Sequence, residues 1–179
     1  GAKKCGVRDL TVVILERPRH KELISQVRET GARIWMISDG DVQAAISTCM
    51  PHSGVDVLMG VGGAPEGVIA AAALKCMGGD FHGRLKFQND EERARAEEMG
   101  IRDFDREYGV SDLAKGEVLF CATGVTDGTM LKGVKFYGGG ATTHSVVMRS
   151  KTGTVRYVDT RHNFRRKPGG FEEGLDSQL

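Results

Sequence analysis

The chain has 179 residues, of which 40% are hydrophobic and 27% are charged, and its formal net charge at pH 7 is +1. This composition is typical of one soluble globular domain, and the small net charge gives no electrostatic reason to expect nucleic acid or an anionic membrane as a partner. No apolar run approaches the roughly 20 residues that a membrane span needs, and the first residues lack the apolar core of a signal peptide.

The first half of the chain alternates predicted strands and helices. The apolar run at residues 11–15 is typical of a parallel strand that is buried on both faces, and a helix follows from Pro18 to a stop at Gly31. Two further strand–helix pairs are predicted, with strands at 33–38 and 55–59 and helices at 42–50 and 65–77. This alternation predicts βαβ units with right-handed crossovers, and therefore an α/β fold.

Two expectations concern packing in this half. The last helix carries apolar side chains that suit packing against a sheet, and Trp35 is assigned to the core. The apolar positions of that helix are Val68, Ile69, Ala72, Ala73 and Met77.

The second half changes character after Gly109. Residues 84–88 are predicted as a strand and 90–99 as a charged, solvated helix. Beyond Gly109 four strands are separated by glycine-containing turns, which indicates an antiparallel arrangement. These strands are predicted at 118–122, 134–137, 145–149 and 154–158, with turns at 138–140 and 151–153. We expect one domain over residues 1–164 and a flexible tail over 165–179.

The four cysteines are widely separated and form no C-x-x-C pair. This pattern favours buried free thiols in a reducing cytoplasm over a zinc site or disulfides. The positions are Cys5, Cys49, Cys76 and Cys121.

A glycine-rich turn over residues 60–67 precedes the long helix that Pro65 opens. Backbone N–H groups of such a turn attract phosphate, but Glu66 adds a carboxylate, which favours a divalent cation between the carboxylate and the anion. A dinucleotide fingerprint fails because Pro65 occupies its third glycine position, and no Walker lysine follows. A structural turn with a first-turn acid that the helix dipole favours remains an alternative.

Two earlier strand–helix junctions also carry polar clusters. Arg17 and Arg19 flank Pro18 after the first strand and offer forked donors to a phosphate. The alternative is that they are two surface arginines, one of which pairs with Glu16 or Glu22.

Asp39, Gly40 and Asp41 follow the second strand. Their carboxylates could accept hydrogen bonds from sugar hydroxyls or hold a cation, or could simply cap a helix. All three junctions lie at the carboxyl ends of predicted strands, where open α/β sheets bind ligands. Together they predict a phosphorylated polyol as the ligand.

Other polar residues make weaker candidates. The turn over residues 123–128 could line the same edge of the sheet. His144 and Ser145 are adjacent in a predicted strand and so point to opposite faces, which disfavours a nucleophilic pair. The remaining histidines show no metal-ligand spacing and are interpreted as ordinary surface or hydrogen-bonded side chains. They are His20, His52, His82 and His162.

These motifs, in this order and spacing, closely resemble the C-terminal half of class II (GlpX-type) fructose-1,6-bisphosphatases. The resemblance covers residues 10 to 162. It rests on the segments 15–20, 38–42, 62–68, 122–126 and 148–156.

The resemblance implies a lithium-sensitive sugar-phosphatase fold with αβαβα layers, and removal of the 1-phosphate of fructose 1,6-bisphosphate in gluconeogenesis. Sedoheptulose 1,7-bisphosphate is a second implied substrate. It further implies that Glu66 ligates Mg²⁺ or Mn²⁺ and that the other site residues bind the sugar bisphosphate. Those residues are Arg17, Pro18, Arg19, Asp39, Gly40, Asp41 and Gly63. Arg17 stands where many members carry lysine.

The same family places most of its metal-binding acids, and a threonine that helps to activate water, upstream of the segments found here. One carboxylate cannot fix a catalytic cation. We therefore expect this chain to be the substrate-binding half of an oligomeric cytoplasmic enzyme, in need of the upstream half. Its own catalytic residues stay unassigned, and a non-catalytic sugar-phosphate-binding or regulatory module is the alternative.

Overall fold

The computed structural model describes residues 5–167, and its first half is a three-stranded parallel sheet with helices on both faces. The strand order is β2-β1-β3, with Val12 opposite both Ile34 and Val57. The predicted βαβ units are confirmed. In chain order the elements are β1 (Thr11–Leu15), α1 (Lys21–Thr30), β2 (Arg33–Ile37), α2 (Asp41–Ser47), β3 (Val57–Leu58) and α3 (Ala64–Met77).

The two faces of β1 pack against different helices. Val12 and Ile14 contact Val27 of α1, whereas Val13 packs with Ala44 of α2 on the opposite face. Burial on both faces explains why β1 is a continuous apolar run rather than an alternating one. Helix α1 ends at Gly31, whose φ of 80° is a left-handed conformation that glycine adopts without steric cost.

A small antiparallel pair follows, built from β4 (His82–Arg84) and β5 (Glu107–Gly109), with α4 (Asp90–Glu98) between them and α5 (Val110–Leu113) after them. The strand predicted at 84–88 is therefore wrong in most of its extent. Phe87 packs edge-to-face on Phe104, with ring centroids 5.0 Å apart, beneath the guanidinium of Arg93. This local cluster, rather than strand pairing, accounts for the apolar residue there.

The last third of the chain forms an antiparallel sheet, as the four predicted strands and their glycine-containing turns indicated. Its long central strand pairs with two short strands along one edge and with the last strand along its whole length. The last two strands are longer than predicted because polar residues extend the pairing from Arg149↔Thr154 to Gly140↔Asn163. The strands are β6 (Leu119–Thr123), β7 (Lys135–Tyr137), β8 (Gly140–Arg149) and β9 (Thr154–Asn163).

Helices α2 and α3 lie between the two sheets, with α2 on the parallel sheet and α3 on the antiparallel sheet. Ala73 and Cys76 of α3 pack with Phe120, Val146 and Met148 of the antiparallel sheet, and α3 also contacts α2. The described layers therefore run α1, parallel sheet, α2 with α3, antiparallel sheet.

The packing prediction for α3 is confirmed for Ala73, which is buried, and for Ala72 and Met77, which pack against the same core cluster. The predictions for Val68, Ile69 and Trp35 were wrong. Val68 and Ile69 of α3 are 42% and 48% exposed, because its alanines and Leu74 form the buried side. Trp35 is 46% exposed because β2 is an edge strand of the parallel sheet.

The cysteines are free, as expected, but only Cys76 is buried. Burial raises the pKa of its thiol, since the thiolate loses hydration there. Cys121 is exposed because it lies on the face of β6 opposite Phe120, which packs into the core. Cys5 is also exposed.

Within residues 5–167, no helix has both the length and the apolar composition to cross a lipid bilayer. Of the tail predicted over 165–179, only residues 165–167 lie within the described part of the chain.

Candidate functional site

The three polar junctions meet at one edge of the parallel sheet. The strand order β2-β1-β3 puts the junction after β1 between the other two. Arg17 reaches the end of β2, Arg19 reaches the glycine turn, and Asp41 lies beside Gly62. The side chains thus bridge all three turns, as their shared place at the carboxyl edge predicted.

The two arginines are anchored to backbone carbonyls. Arg17 donates from Nη1 to Glu16 O at 2.9 Å and from Nη2 to Ser38 O at 2.7 Å. Arg19 donates from Nε to Val61 O at 2.8 Å, and within residues 5–167 both of its terminal nitrogens are free to bind an anion. Neither arginine has a carboxylate partner within residues 5–167, so the alternative of glutamate pairing is not seen.

The two acids that follow β2, Asp39 and Asp41, have different surroundings. Gly40 has φ 81° and ψ 38° at the start of α2, where a side chain would be strained. Asp41 accepts a hydrogen bond from the Val42 N–H at 2.9 Å, which satisfies one free amide of the helix start. Asp39 is exposed and caps no helix in the part of the chain that the structure describes, so its carboxylate is available to a ligand.

The glycine turn places Glu66 in the first turn of α3, with Pro65 beside it. The Glu66 carboxylate folds back over Gly63, so that a Cβ atom on residue 63 would overlap it. A Cβ atom on Gly62 would lie 3.4 Å from Oδ2 of Asp41. Two carboxylates therefore flank a short stretch of backbone that has no side chains.

A cleft of about 350 Å³ opens beside Asp39 and Gly40. Its far wall includes Gly128 and Thr129, from the loop between β6 and β7, and Thr129 accepts a hydrogen bond from Gln43 of α2. The turn over residues 123–128, which was predicted to line this edge of the sheet, contributes Gly128 to the cleft. The contribution of Gln43 was missed, since its partner lies far away in the sequence.

His144 and Ser145 lie apart, as strand geometry predicted. The Ser145 hydroxyl is 2.8 Å from the Thr123 hydroxyl, whereas His144 accepts a hydrogen bond from the Lys132 N–H and stacks on Tyr157. Within residues 5–167, the hydrogen bonds of these two side chains do not reach the junctions at the parallel sheet.

The residues present do not form a complete metal site. Among residues 5–167, no three His, Cys, Asp or Glu side chains converge as ligands. Since Mg²⁺ requires about six ligands in octahedral geometry, Glu66 can supply one oxygen but cannot hold the ion alone.

Comparison with known proteins gives a consistent result. A family model described as bacterial fructose-1,6-bisphosphatase, glpX-encoded, matches residues 1–162. The chain is 49% identical over 174 residues to a protein of Microcystis aeruginosa, covering 90% of this chain and 50% of that protein. It is 51% identical over 169 residues to one of Crocosphaera subtropica, covering 87% and 49%. Both relatives are named D-fructose 1,6-bisphosphatase class 2/sedoheptulose 1,7-bisphosphatase. The chain spans about half the length of these relatives.

Proposed function

The chain belongs to the family of bacterial glpX-encoded fructose-1,6-bisphosphatases, and from this premise we propose that it provides the sugar-phosphate-binding half of such an enzyme. The complete enzyme would hydrolyse the 1-phosphate of fructose 1,6-bisphosphate to give fructose 6-phosphate, and sedoheptulose 1,7-bisphosphate is a second proposed substrate. The observation that carries the proposal is the bridging of the three polar junctions by Arg17, Arg19 and Asp41.

Each junction has a task in this proposal. The free terminal nitrogens of Arg19 bind a phosphate, and Arg17 adds positive charge beside it. Asp39 and Asp41 accept hydrogen bonds from sugar hydroxyls. Gly63 offers its backbone N–H, which has no acceptor within residues 5–167, to the substrate.

Glu66 supplies one ligand to a divalent cation, Mg²⁺ or Mn²⁺, whose other ligands come from the half of the enzyme that this chain does not span. Such a cation polarises a phosphoryl oxygen and lowers the pKa of bound water. Because the ligands present here are incomplete, we expect little turnover from this chain alone. Water would attack phosphorus in line with the departing oxygen, without a phosphorylated enzyme intermediate.

The proposal extends to the architecture and assembly. The order α1, parallel sheet, α2 with α3, antiparallel sheet supports the αβαβα layering of lithium-sensitive phosphatases, with the fifth layer supplied by the other half. We further propose that the complete enzyme is a cytoplasmic homo-oligomer.

Binding of substrate to this chain tests the proposal. Isothermal titration should detect fructose 1,6-bisphosphate but not fructose, and Arg19→Ala should weaken binding by about tenfold or more through loss of charged hydrogen bonds. Arg28→Ala, an exposed arginine on α1, is the matched control and should leave binding unchanged. Absence of binding by the folded chain would contradict the proposal. Tight binding that needs no metal and ignores Glu66→Gln would favour the non-catalytic module.

A further inference from the structure

The side chain of His20 connects the end of β1 to the glycine turn. It is only 1% exposed, and both ring nitrogens are bonded. Nδ1 lies 2.7 Å from Leu15 O, and the Val61 N–H donates to Nε2 at 2.9 Å. A backbone N–H can only donate, so Nε2 accepts and the ring hydrogen lies on Nδ1. The geometry therefore requires the neutral ring with its hydrogen on Nδ1.

His20 and Arg19 hold the two peptide units that flank Val61, one through the Val61 N–H and the other through the Val61 carbonyl. The Val61 carbonyl is 3.3 Å from Nε2, which has no hydrogen to donate, and it accepts from Arg19 Nε at 2.8 Å instead. The ring also fills the space beside Gly60, where a Cβ atom would lie 3.2 Å from Cε1. Three contacts therefore hold residues 60 and 61: the ring beside Gly60, the bond from the Val61 N–H to the ring, and the bond from Arg19 to the Val61 carbonyl.

The next residues are anchored on their far side, because Gly63 O accepts a hydrogen bond from the Gly67 N–H at the start of α3. Within the described part of the chain, the N–H groups of Gly62 and Gly63 have no acceptor, and the Glu66 carboxylate lies over Gly63. The position of these N–H groups relative to Arg17 and Arg19 therefore depends on the anchor at Val61 on one side and on the start of α3 on the other.

We propose that His20 is a positioning residue, which uses Nε2 to lock the glycine turn against the arginine segment and so sets the spacing between Arg19 and the amides of Gly62 and Gly63. The identity of the ligand rests on the proposed function above, but the anchoring itself does not. Loss of the Nε2 bond would loosen the turn without removing any group that touches the ligand.

Two amide substitutions separate positioning from simple core packing. A glutamine at position 20 reaches as far as Nε2 and can accept from the Val61 N–H, whereas an asparagine reaches only as far as Nδ1. Both variants lose ring packing. If His20 positions the turn, His20→Gln should bind fructose 1,6-bisphosphate within about threefold of the unmodified chain, and His20→Asn should bind about tenfold more weakly. His162→Gln, which removes a ring bonded to Thr143 on the antiparallel sheet, is the control and should not change affinity.

Three measurements on the folded chain complete the test. Titration calorimetry gives the affinities, urea unfolding gives the stabilities, and hydrogen exchange reports the Val61 amide. We expect the Val61 amide to be protected in the unmodified chain and in His20→Gln but not in His20→Asn. We also expect nitrogen NMR of His20 to show the neutral ring with hydrogen on Nδ1.

Equal losses of affinity in the two variants, in proportion to their stabilities, would overturn the positioning role. Equal Val61 protection in the two variants would overturn it as well. If the unmodified chain binds no bisphosphate, the proposed function fails, whereas the exchange and NMR measurements still decide whether His20 anchors the turn.

Discussion

The carboxylate of Glu66 occupies the space that a side chain on Gly63 would need. Gly63 has φ −69° and ψ 146°, a conformation that any residue can adopt. A larger residue at position 63 would therefore clash with the Glu66 carboxylate, although the backbone conformation there would accept it. A missing side chain lets a first-turn acid fold back over the start of α3.

Gly63→Ala should displace Glu66 while leaving the fold intact. Because the displaced group is the flexible end of an exposed side chain, we expect the free energy of unfolding to change by less than about 1 kcal/mol. Phosphate release by the full-length enzyme should fall by about tenfold or more, since the proposed metal ligand moves. In a Glu66→Ala background the stability effect of Gly63→Ala should vanish. Independent effects of the two substitutions in urea unfolding would contradict this account.

Gly40 is a different kind of glycine, since its φ of 81° lies in the left-handed region and a Cβ atom added to it would meet no other atom within 4 Å. Gly40→Ala should therefore destabilise the chain by about 1 kcal/mol through backbone strain alone. Gly40→Asn should cost clearly less, because asparagine tolerates this conformation better. Urea unfolding of both variants measures the difference, and equal losses would show that strain is not the cause.

Met148 tests the core between α3 and the antiparallel sheet. It is 1% exposed and packs in the cluster with Ile46, Ala73 and Val146. Met148→Ala should lower the free energy of unfolding by about 2–5 kcal/mol because it leaves a cavity. Met99→Ala, at a position that is 82% exposed, should change it by less than about 0.5 kcal/mol. Similar values for the two variants in urea unfolding would contradict the layer arrangement.

Local chemistry was enough to predict much of the fold and of the candidate site. The continuous run of β1 and the glycine stop of α1 depend on neighbouring residues, and both were found where predicted. The three junctions were predicted to lie together because the carboxyl ends of parallel strands share one edge of the sheet. That inference needed no knowledge of distant contacts.

Other features depend on distant partners and could not be read locally. The strand β5 has only three residues and is identified by its pairing with β4. Val68 and Ile69 have the hydrophobicity of core residues, but they are exposed because the alanines of α3 form its buried side. The role of His20 depends on Val61, 41 residues later in the chain.

The pair formed by His82 and Glu107 predicts a pH dependence. Nδ1 of His82 lies 2.7 Å from Glu107 Oε1, and this hydrogen bond, with a second from His82 Nε2 to Asp80 Oδ2, raises the pKa of His82. Since the folded pKa is raised above the unfolded value of about 6.5, the stabilising effect is present below that value and is lost as pH rises through the folded pKa.

We expect an NMR titration of His82 to give a midpoint above about 6.5, and Glu107→Gln to lower it. The loss of stability in Glu107→Gln should be larger at about pH 6 than at about pH 9. Glu98→Gln, at an exposed position on α4, is the control and should show no such difference. A loss that is the same at both pH values would contradict the interaction.

The most direct test of the central claim is phosphate release from fructose 1,6-bisphosphate in the presence of Mg²⁺ or Mn²⁺. It should be measured on this chain alone, on the chain with the remaining half of the enzyme restored, and on the restored enzyme with Glu66→Gln. We predict little release by the chain alone, release on restoration, and its loss in Glu66→Gln. No release by the restored enzyme, or release unaffected by Glu66→Gln, would contradict the claim that this chain supplies the substrate-binding half and one metal ligand.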